Sequence, residues 1–338
     1  MAKPTSNELF PEGKNYLMKK DDNFSIINKN HFNANLDMRE KLDLFKSSVK
    51  MIEIEVFSFC NRRCWFCPNL YIDRHSDNIF MQDSIYKKVI YDLKKIDYSN
   101  KISFSRYNEP LSNKNIFKRL IEAHEVLPSA QLHMNTNGDY LERDTIPQLY
   151  ECGLSSLNIQ VYIPNGMEYS DKKAYSLVST KIKALNLEHK LICFKSMKRL
   201  EYRLIYENMS IRIYSKNFIQ SGNYRAGLIS KLKKSRVRTS PCLIPFRDLY
   251  IDFNGKVVPC CNIRSDIPEH KNYIIGDLSR NEDNIFSIFS SKEIIDWRKQ
   301  LFGFWKKSAP CDYCSFQEVE STWTNRKKAR EVSKMCFE

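Results

Sequence analysis

The chain is poor in glycine and has no long apolar run. Only 9 of its 338 residues are glycine, which excludes collagen-like repeats and glycine-rich linkers and argues against most propellers. No apolar stretch approaches the roughly 18 residues that a membrane-spanning helix needs. The first residues are polar and do not resemble a signal peptide. These absences predict a cytoplasmic protein without a membrane anchor.

Cysteine, in contrast, is abundant, with 11 residues in the chain. The odd count and the lack of a signal peptide argue against a secreted disulfide framework. In a reducing compartment, so many cysteines more often serve metal or redox chemistry. Hydrophobic residues make up 42% of the chain and charged residues 28%, so it can bury a core. The composition therefore predicts a globular, metal-binding protein.

Acidic residues are outnumbered, since 54 Lys and Arg face 40 Asp and Glu for a net charge of +14. Residues 181–238 alone hold fifteen basic residues and three glutamates, a net charge of +12. Three interpretations stay open: a solvated basic surface, an entrance for an anionic substrate, or a nucleic-acid site with interleaved aromatics. The candidates for substrate contact, one of which could instead bind a cofactor carboxylate, are Lys195, Arg203, Arg212 and Arg225.

Apolar periodicity predicts alternating strands and helices from residue 51 to about residue 215. A strand over residues 51–59 is followed by a helix over 83–96, for which Asp83 is the candidate N-cap. Further strands are predicted at 101–105, 131–135, 156–162, 190–194 and 210–214, and further helices at 113–126, 145–152 and 171–185. Roughly six such units predict an α/β fold with a parallel sheet, closer to a barrel than to a sandwich. The active site of such a fold lies at the carboxyl ends of the strands.

A first cysteine motif, C-x3-C-x2-C, follows the first predicted strand. It contains Cys60, Cys64 and Cys67. Three thiolates from one loop can bind three irons of a cubane cluster and leave the fourth iron open. A structural zinc site would need a fourth ligand, for which His75 is the nearest candidate.

This motif resembles the signature of the radical S-adenosylmethionine (SAM) superfamily. The resemblance implies that the three cysteines bind a [4Fe–4S] cluster whose open iron is chelated by SAM. It also implies a partial (β/α)6 barrel, and it places the aromatic ring of Phe66 near the adenine of SAM.

Two later segments strengthen the resemblance. Residues 105–111 are similar to the family's Gly-Gly-Glu-Pro motif, which implies that Glu109 contacts the SAM amino group, although Tyr107 and Asn108 stand where glycines are usual. Asn158 and Gln160 lie where the family often places a contact to the SAM ribose. The alternatives are a surface-loop carboxylate at Glu109 and ordinary strand polarity at the other two positions.

A second set of cysteines lies beyond residue 240, at Cys242, Cys260, Cys311 and Cys314. By their chemistry alone, these four thiolates suit either a tetrahedral zinc or a second [4Fe–4S] cluster. The C-x12-G-x4-C spacing resembles the SPASM or twitch extension of some radical SAM proteins, and four cysteines suit the shorter version with one auxiliary cluster. Cys261 could replace Cys260 as a ligand, donate a hydrogen atom, or have no role.

The expected organisation is an N-terminal lead-in over residues 1–50, a partial barrel over 51–220 and an auxiliary-cluster domain over 221–338. The resemblance implies an oxidoreductase that reductively cleaves SAM to a 5′-deoxyadenosyl radical and removes a hydrogen atom from its substrate. Its cofactors would be SAM and two [4Fe–4S] clusters, with electrons supplied by a flavodoxin- or ferredoxin-type donor.

The substrate expected from the charge is an anionic, sugar-like small molecule, which would be dehydrogenated or epimerised in a biosynthetic pathway. A peptide maturase that cross-links or epimerises its substrate is the competing enzyme class. The alternative that is not an enzyme is a nucleic-acid-binding protein stabilised by zinc or by an iron–sulfur cluster.

Overall fold

The computed structural model describes residues 24–337. The predicted lead-in over residues 1–50 therefore lies partly outside the described residues. Its described part contains a helix, α1 (Met38–Ser48), whose N-cap Asp37 accepts a hydrogen bond from the backbone of Glu40. Within residues 24–337, no helix is both long enough and apolar enough to cross a bilayer.

The described residues form one ten-stranded sheet. Its strands are β1 (Met51–Ile54), β2 (Lys101–Ser103), β3 (Gln131–Thr136), β4 (Leu154–Gln160), β5 (His189–Lys195), β6 (Arg199–Tyr206), β7 (Met209–Lys216), β8 (Asp248–Ile251), β9 (Lys256–Val258) and β10 (Gly276–Asp277). Their order across the sheet is β10-β9-β8-β1-β2-β3-β4-β7-β6-β5. Six neighbouring strands, from β8 to β7, run parallel, which confirms the α/β prediction.

Helices connect the parallel strands. The further helices are α2 (Asp83–Lys94), α3 (Asn115–Val126), α4 (Thr145–Glu151), α5 (Asp171–Leu185), α6 (Phe218–Ser221), α7 (Ile244–Arg247), α8 (Ile285–Phe289), α9 (Lys292–Leu301) and α10 (Trp323–Phe337). The helix α5 has the bounds predicted from sequence, because the Ser170 side chain caps its start and Asn186 in left-handed conformation ends it.

The sequence predicts about six strand–helix units, whereas the described residues contain four, from β1–α2 to β4–α5. After α5 the chain makes an antiparallel meander, β5-β6-β7, whose last strand lies parallel beside β4. The sixth parallel strand is β8, which pairs with β1 and belongs to the region of the second cysteine set. The barrel sheet and the C-terminal region are thus continuous through the β1–β8 pair.

The two faces of the sheet differ in chemistry. One face carries buried aliphatic side chains such as Ile52, Leu132 and Ile213, which join the helices in one hydrophobic core. Because side chains alternate along a strand, the opposite face carries polar residues such as His133 and Asn158, which are hydrogen-bonded to each other. The polar face leads to the loops at the carboxyl ends of the strands.

Two local predictions need correction. Asp83 is the first residue of α2 and not its N-cap, a position that Gln82 occupies without a side-chain cap. The Asp83 carboxylate instead forms an ion pair with Arg119 of α3. Strand β6 is not among the predicted strands, because its alternating charged residues Arg199, Glu201 and Arg203 belong to the run of basic sequence.

Candidate functional site

The loop that carries the first three cysteines leaves β1 at the carboxyl end of the sheet. It follows Val56 and Phe57, which are fully buried. The backbone N–H of Cys60 donates to the carbonyl of Arg74 at 3.1 Å, and that of Cys67 donates to the carbonyl of Cys64 at 2.9 Å. The loop therefore folds back on itself and brings its cysteines into one half-buried group.

Burial and proximity affect the thiols of this loop. Burial is the main reason that the pKa of Cys60 and the pKa of Cys64 are each raised to about 12, and the neighbouring thiol of Cys67 raises both further. Three such thiols close to one another suit a cationic iron cluster, which binds them as thiolates and offsets their mutual repulsion. The loop thus fits the three-cysteine side of a [4Fe–4S] site.

A buried arginine fixes the loop against the rest of the molecule. The Arg74 guanidinium donates to Glu55 at 3.0 Å and to the carbonyl of Ser58 at 2.7 Å. It also forms an ion pair with Asp266 at 2.7 Å. Glu55 follows β1, and Asp266 belongs to the C-terminal region. The Arg74 side chain therefore connects the cysteine loop to the end of β1 and to the C-terminal region.

Glu109 lies beside the cysteine loop, as its motif predicts. Its N–H donates to the carbonyl of Phe59 at 2.9 Å, and its carboxylate accepts from the Thr136 hydroxyl at 2.6 Å and the Asn137 N–H at 2.7 Å. The Asn137 amide in turn donates to Asn61 at 2.8 Å. Glu109 is 2% exposed, which does not agree with the surface-loop alternative.

Tyr107 stands where this motif usually has a glycine, and it makes two hydrogen bonds to other parts of the site. Its hydroxyl donates to the carbonyl of Cys261 at 2.7 Å, and its N–H donates to Glu55 at 3.0 Å. The departure from the family pattern therefore links the Glu109 loop to the second cysteine set.

The other predicted SAM contacts lie on or near β4. Asn158 donates to the side chain of Asn135 at 2.8 Å. The carbonyl oxygen of Gln160 accepts from the Tyr214 hydroxyl at 3.0 Å, whereas its buried amide nitrogen has no hydrogen-bond partner among residues 24–337. The Phe66 ring stacks on Phe218 with the centroids 3.4 Å apart.

The second cysteine set comes from three segments of the C-terminal region. Cys242 precedes α7, Cys260 follows β9, and Cys311 and Cys314 lie in a turn in which the Cys314 N–H donates to the Cys311 carbonyl at 3.2 Å. Cys260 and Cys311 pack against the apolar cluster that contains Cys242. Asn262 contacts two of the sulfurs, since its backbone N–H donates to Cys260 at 3.4 Å and its side-chain amide donates to Cys314 at 3.9 Å. The four thiols are therefore near neighbours.

Hydrogen-bond donors surround the sulfur atoms of this second set. The Cys314 sulfur accepts from the amide of Asn223 at 3.3 Å, from the N–H of Phe316 at 3.4 Å and from Arg238 at 3.7 Å. The Cys260 sulfur accepts from the N–H of Asn262 at 3.4 Å. Donors to cysteine sulfur stabilise thiolate charge and raise the potential of an iron–sulfur cluster, so this environment fits such a cluster.

Across residues 24–337, no three His, Cys, Asp or Glu side chains are grouped as ligands of one metal ion. His75, the candidate fourth zinc ligand, packs its ring edge-on against Phe59. Cubane ligands each bind a different iron and so do not converge on a single point.

Both cysteine sets contact the same apolar cluster. This cluster, called the bridging cluster below, consists of Phe66, Tyr224, Ile229 and Leu232. Cys64 and Cys67 pack against it from the first set, and Cys314 packs against it from the second. The Tyr224 hydroxyl is fixed by the carbonyl of Pro310 at 2.6 Å. The two cysteine sets are therefore both adjacent to the bridging cluster.

Sequence reasoning did not single out Arg199 and Lys216. They face each other across β6 and β7 in the antiparallel register. The available signal was the alternation of apolar residues with charged or polar ones in 199–204 and 209–214, which has the period of a strand.

Comparison with known proteins agrees with this geometry. A model of the radical SAM superfamily matches residues 54–169, and a model of the SPASM iron–sulfur cluster-binding domain matches residues 242–315. The chain is 25% identical over 274 residues to the S-adenosyl-L-methionine-dependent 2-deoxy-scyllo-inosamine dehydrogenase of Niallia circulans. The aligned region covers 80% of this chain and 94% of that protein.

Two solved structures share the fold. The crystal structure of BtrN in complex with AdoMet and 2-DOIA has a TM-score of 0.56 and 22% identity and covers 81% of this chain and 95% of BtrN. The open conformation of BtrN has a TM-score of 0.50 and 22% identity, with coverage of 79% and 92%. By the two family models, residues 54–169 form a radical SAM domain and residues 242–315 a SPASM domain, and these domains make the chain an enzyme with S-adenosylmethionine and [4Fe–4S] clusters as cofactors.

Proposed function

We propose that this enzyme dehydrogenates a secondary alcohol of a sugar-like small molecule. The observation that carries the proposal is the bridging cluster, which both cysteine sets contact. Oxidation of an alcohol to a ketone removes a hydrogen atom, a proton and one further electron, so two neighbouring redox groups suit it. The relative from Niallia circulans is named as a dehydrogenase, which supports the same reaction class.

We assign the cofactors to residues as follows. Cys60, Cys64 and Cys67 bind the cluster whose open iron takes SAM, and Cys242, Cys260, Cys311 and Cys314 bind the auxiliary cluster. Phe66, Glu109, Asn158 and Gln160 contact SAM. When bound, these groups supply a 5′-deoxyadenosyl radical that removes the substrate hydrogen and an acceptor for the remaining electron.

Arg225 is suited to hold the oxygen that becomes the ketone. Its guanidinium lies over the ring of Tyr107, 5.8 Å from the ring centroid, and its backbone N–H donates to the side chain of Asn223 at 3.0 Å. One nitrogen donates to the Asn262 side chain at 3.1 Å, and its buried Nε has no hydrogen-bond partner in the part of the chain that the structure describes. A fixed cation beside the alcohol orients the hydroxyl group and favours its loss of a proton.

We further propose that the substrate is anionic and that a flavodoxin- or ferredoxin-type protein supplies the electron for SAM cleavage. The net charge of +12 over residues 181–238 supports the first part, since a cationic surface attracts anions and repels amines. The second part rests on the chemistry, because SAM cleavage is reductive and needs an electron donor of low potential.

The test is anaerobic reconstitution followed by iron counting and a SAM cleavage assay. The intact protein should bind about eight irons per chain, and a Cys60→Ala, Cys64→Ala, Cys67→Ala variant should bind about four and release no 5′-deoxyadenosine. Pools of phosphorylated sugars, neutral sugars and peptides are then offered to the reduced enzyme. A ketone formed from a small polyol supports the proposal, and a modified peptide as the product contradicts it.

A further inference from the structure

One face of strands β5, β6 and β7 carries an excess of positive charge. The opposite face of β6 and β7 carries Leu200, Leu204, Ile211 and Ile213, which are buried in the main core. Because side chains alternate along a strand, the charged residues share the other face, which we call the basic face. It consists of Lys190, Lys195, Arg199, Arg203, Arg212 and Lys216, with Glu201 as its carboxylate. Six cations and one carboxylate give this face a net charge of +5.

The register of the strands opposes like charges on this face. Arg203 lies directly opposite Arg212, and Arg199 lies directly opposite Lys216. Like charges in directly opposite positions destabilise a sheet. Glu201 offsets part of this cost by ion pairs with Arg199 at 2.6 Å and Arg212 at 3.1 Å. Burial is the main reason that the pKa of Lys216 is lowered to about 8, and the charges of Arg225, Arg199 and Arg212 lower it further.

A ligand can reach the basic face. The side chains of Arg199 and Arg212 are 34% and 42% exposed, so each is partly open to solvent although its Nε atom is buried. Both guanidinium groups lie over the ring of Tyr214, at 5.1 and 4.8 Å from its centroid, and the Tyr214 hydroxyl is held by its hydrogen bond to Gln160. This packing limits the rotamers of the two side chains, so less conformational entropy is lost when they bind a ligand.

The basic face is continuous with the proposed SAM site. Strand β7 lies beside β4, where Arg212 is the register partner of Asn158 and Tyr214 is that of Gln160. Adjacent strands are about 4.8 Å apart, so a group held at Arg212 lies one strand away from residues assigned to SAM. The unpartnered amide nitrogen of Gln160 provides a further donor at this boundary.

We propose that the basic face binds a phosphate or diphosphate ester of the substrate and so positions its sugar-like part beside SAM. This inference rests on the proposed function and names the substrate class for it. A net charge of +5 suits a group with two or more negative charges, and guanidinium groups bind phosphate oxygens in pairs. An amine, such as the aminocyclitol named for the relative from Niallia circulans, would be repelled here.

The experiment is calorimetric titration of the anaerobically reconstituted enzyme with inorganic phosphate and with pyrophosphate. The variants are Arg212→Gln and Arg199→Gln, together with Arg203→Gln in case the ion pairs with Glu201 are needed for folding. The control is Lys183→Gln, an exposed position of α5 within the same basic stretch, which changes the net charge equally. We expect each arginine variant to weaken binding by about tenfold or more and the control to stay within about twofold. Stronger binding of pyrophosphate would indicate a diphosphate ester, and stronger binding of phosphate a monoester.

Three results would overturn the inference. The first is equal weakening by the control, which indicates long-range attraction only. The second is a loss of SAM binding without a loss of phosphate binding in the arginine variants, and the third is that the intact enzyme binds neither phosphate nor pyrophosphate. The same experiments distinguish failure of the phosphate site from failure of the proposed function. An enzyme that oxidises a neutral polyol but binds neither anion contradicts only the phosphate site. An enzyme that binds phosphate through these arginines and forms no 5′-deoxyadenosine contradicts only the proposed reaction.

Discussion

Glu109 lies where three loops of the site meet. It is hydrogen-bonded to the backbone after β1, to Thr136 at the end of β3 and to Asn137 beyond it. Burial raises its pKa to about 7, although the hydrogen bonds that its carboxylate accepts from Thr136 and Asn137 act in the opposite direction. A buried carboxylate of this kind gains most from a bound cation, and the ammonium group of SAM is the cation proposed for it.

The variant Glu109→Ala should therefore weaken SAM binding by about tenfold to a hundredfold, since a charge-assisted hydrogen bond contributes about 1.5–3 kcal/mol. Equilibrium dialysis of the reconstituted protein against SAM measures the effect. Iron content should not change, and Glu142→Ala, at an exposed position before α4, should bind SAM normally. Unchanged SAM affinity in a folded, iron-loaded Glu109→Ala protein would contradict the assignment.

The raised pKa of Glu109 also predicts a dependence of SAM affinity on pH. Below a pKa of about 7 the carboxyl group is protonated and neutral, so it no longer attracts an ammonium group. Affinity should fall as the pH is lowered from 7.5 to 5.5, approaching about tenfold per unit well below the pKa. The variant Glu109→Gln should bind SAM weakly with little dependence over this range. A parallel dependence in that variant would assign the titration to another group.

At the scale of elements, the segment from α6 to residue 232 belongs to neither cysteine loop and yet contacts both. Tyr224 and Leu232 contribute to the bridging cluster, and the Asn223 amide donates to the Cys314 sulfur at 3.3 Å. With Cys314 as a ligand of the proposed auxiliary cluster, this hydrogen bond would stabilise negative charge on the sulfur more in the reduced cluster than in the oxidised one. We therefore expect the segment to tune the proposed second cluster without binding it.

The variant Asn223→Ala should lower the reduction potential of the auxiliary cluster by about 20–60 mV, which for one electron corresponds to a hydrogen bond of about 0.5–1.5 kcal/mol. A redox titration followed by electron paramagnetic resonance measures the shift. Asn217→Ala is the matched control, because this residue caps α6 in the same segment. Equal potentials in both variants would show that the hydrogen bond has no such effect.

The elements also show what sequence can and cannot predict. Helix α5 was predicted to the residue because its cap, its apolar period and its end are all local. The cysteine motifs and the segment around Glu109 could be recognised for the same reason, because their spacings are local, and the roles assigned to these residues stay predictions. The pairing of β8 with β1 joins residues about two hundred positions apart, and the basic face depends on the register of β6 with β7. Neither is encoded in a local pattern, since register is decided by tertiary packing.

At the scale of the molecule, buried polar contacts connect the first cysteine loop to the C-terminal region. Arg74 pairs with Glu55 and with Asp266, and the Asn69 side chain accepts from Arg264 at 2.5 Å. Together with the β1–β8 pair, these contacts make the relative position of the two cysteine sets a property of the whole fold. Loss of one such contact should therefore affect global stability.

The variant Arg74→Met tests this. The Arg74 and Glu55 side chains are 2% and 0% exposed, so the substitution leaves Glu55 as a buried carboxylate without its cation, at a cost of about 3–5 kcal/mol. The comparison is Arg63→Met in the same loop. Arg63 forms an ion pair with Asp73 at 3.8 Å, and the two side chains are 58% and 53% exposed. An ion pair this exposed contributes at most about 1 kcal/mol to stability. Guanidinium unfolding of the anaerobically prepared proteins, followed by circular dichroism, measures the loss of stability in both variants.

The Arg74→Met variant should unfold at a clearly lower denaturant concentration than the Arg63→Met variant. Equal midpoints would mean that the buried ion pair contributes no more than a surface one, and that other contacts hold the two regions together.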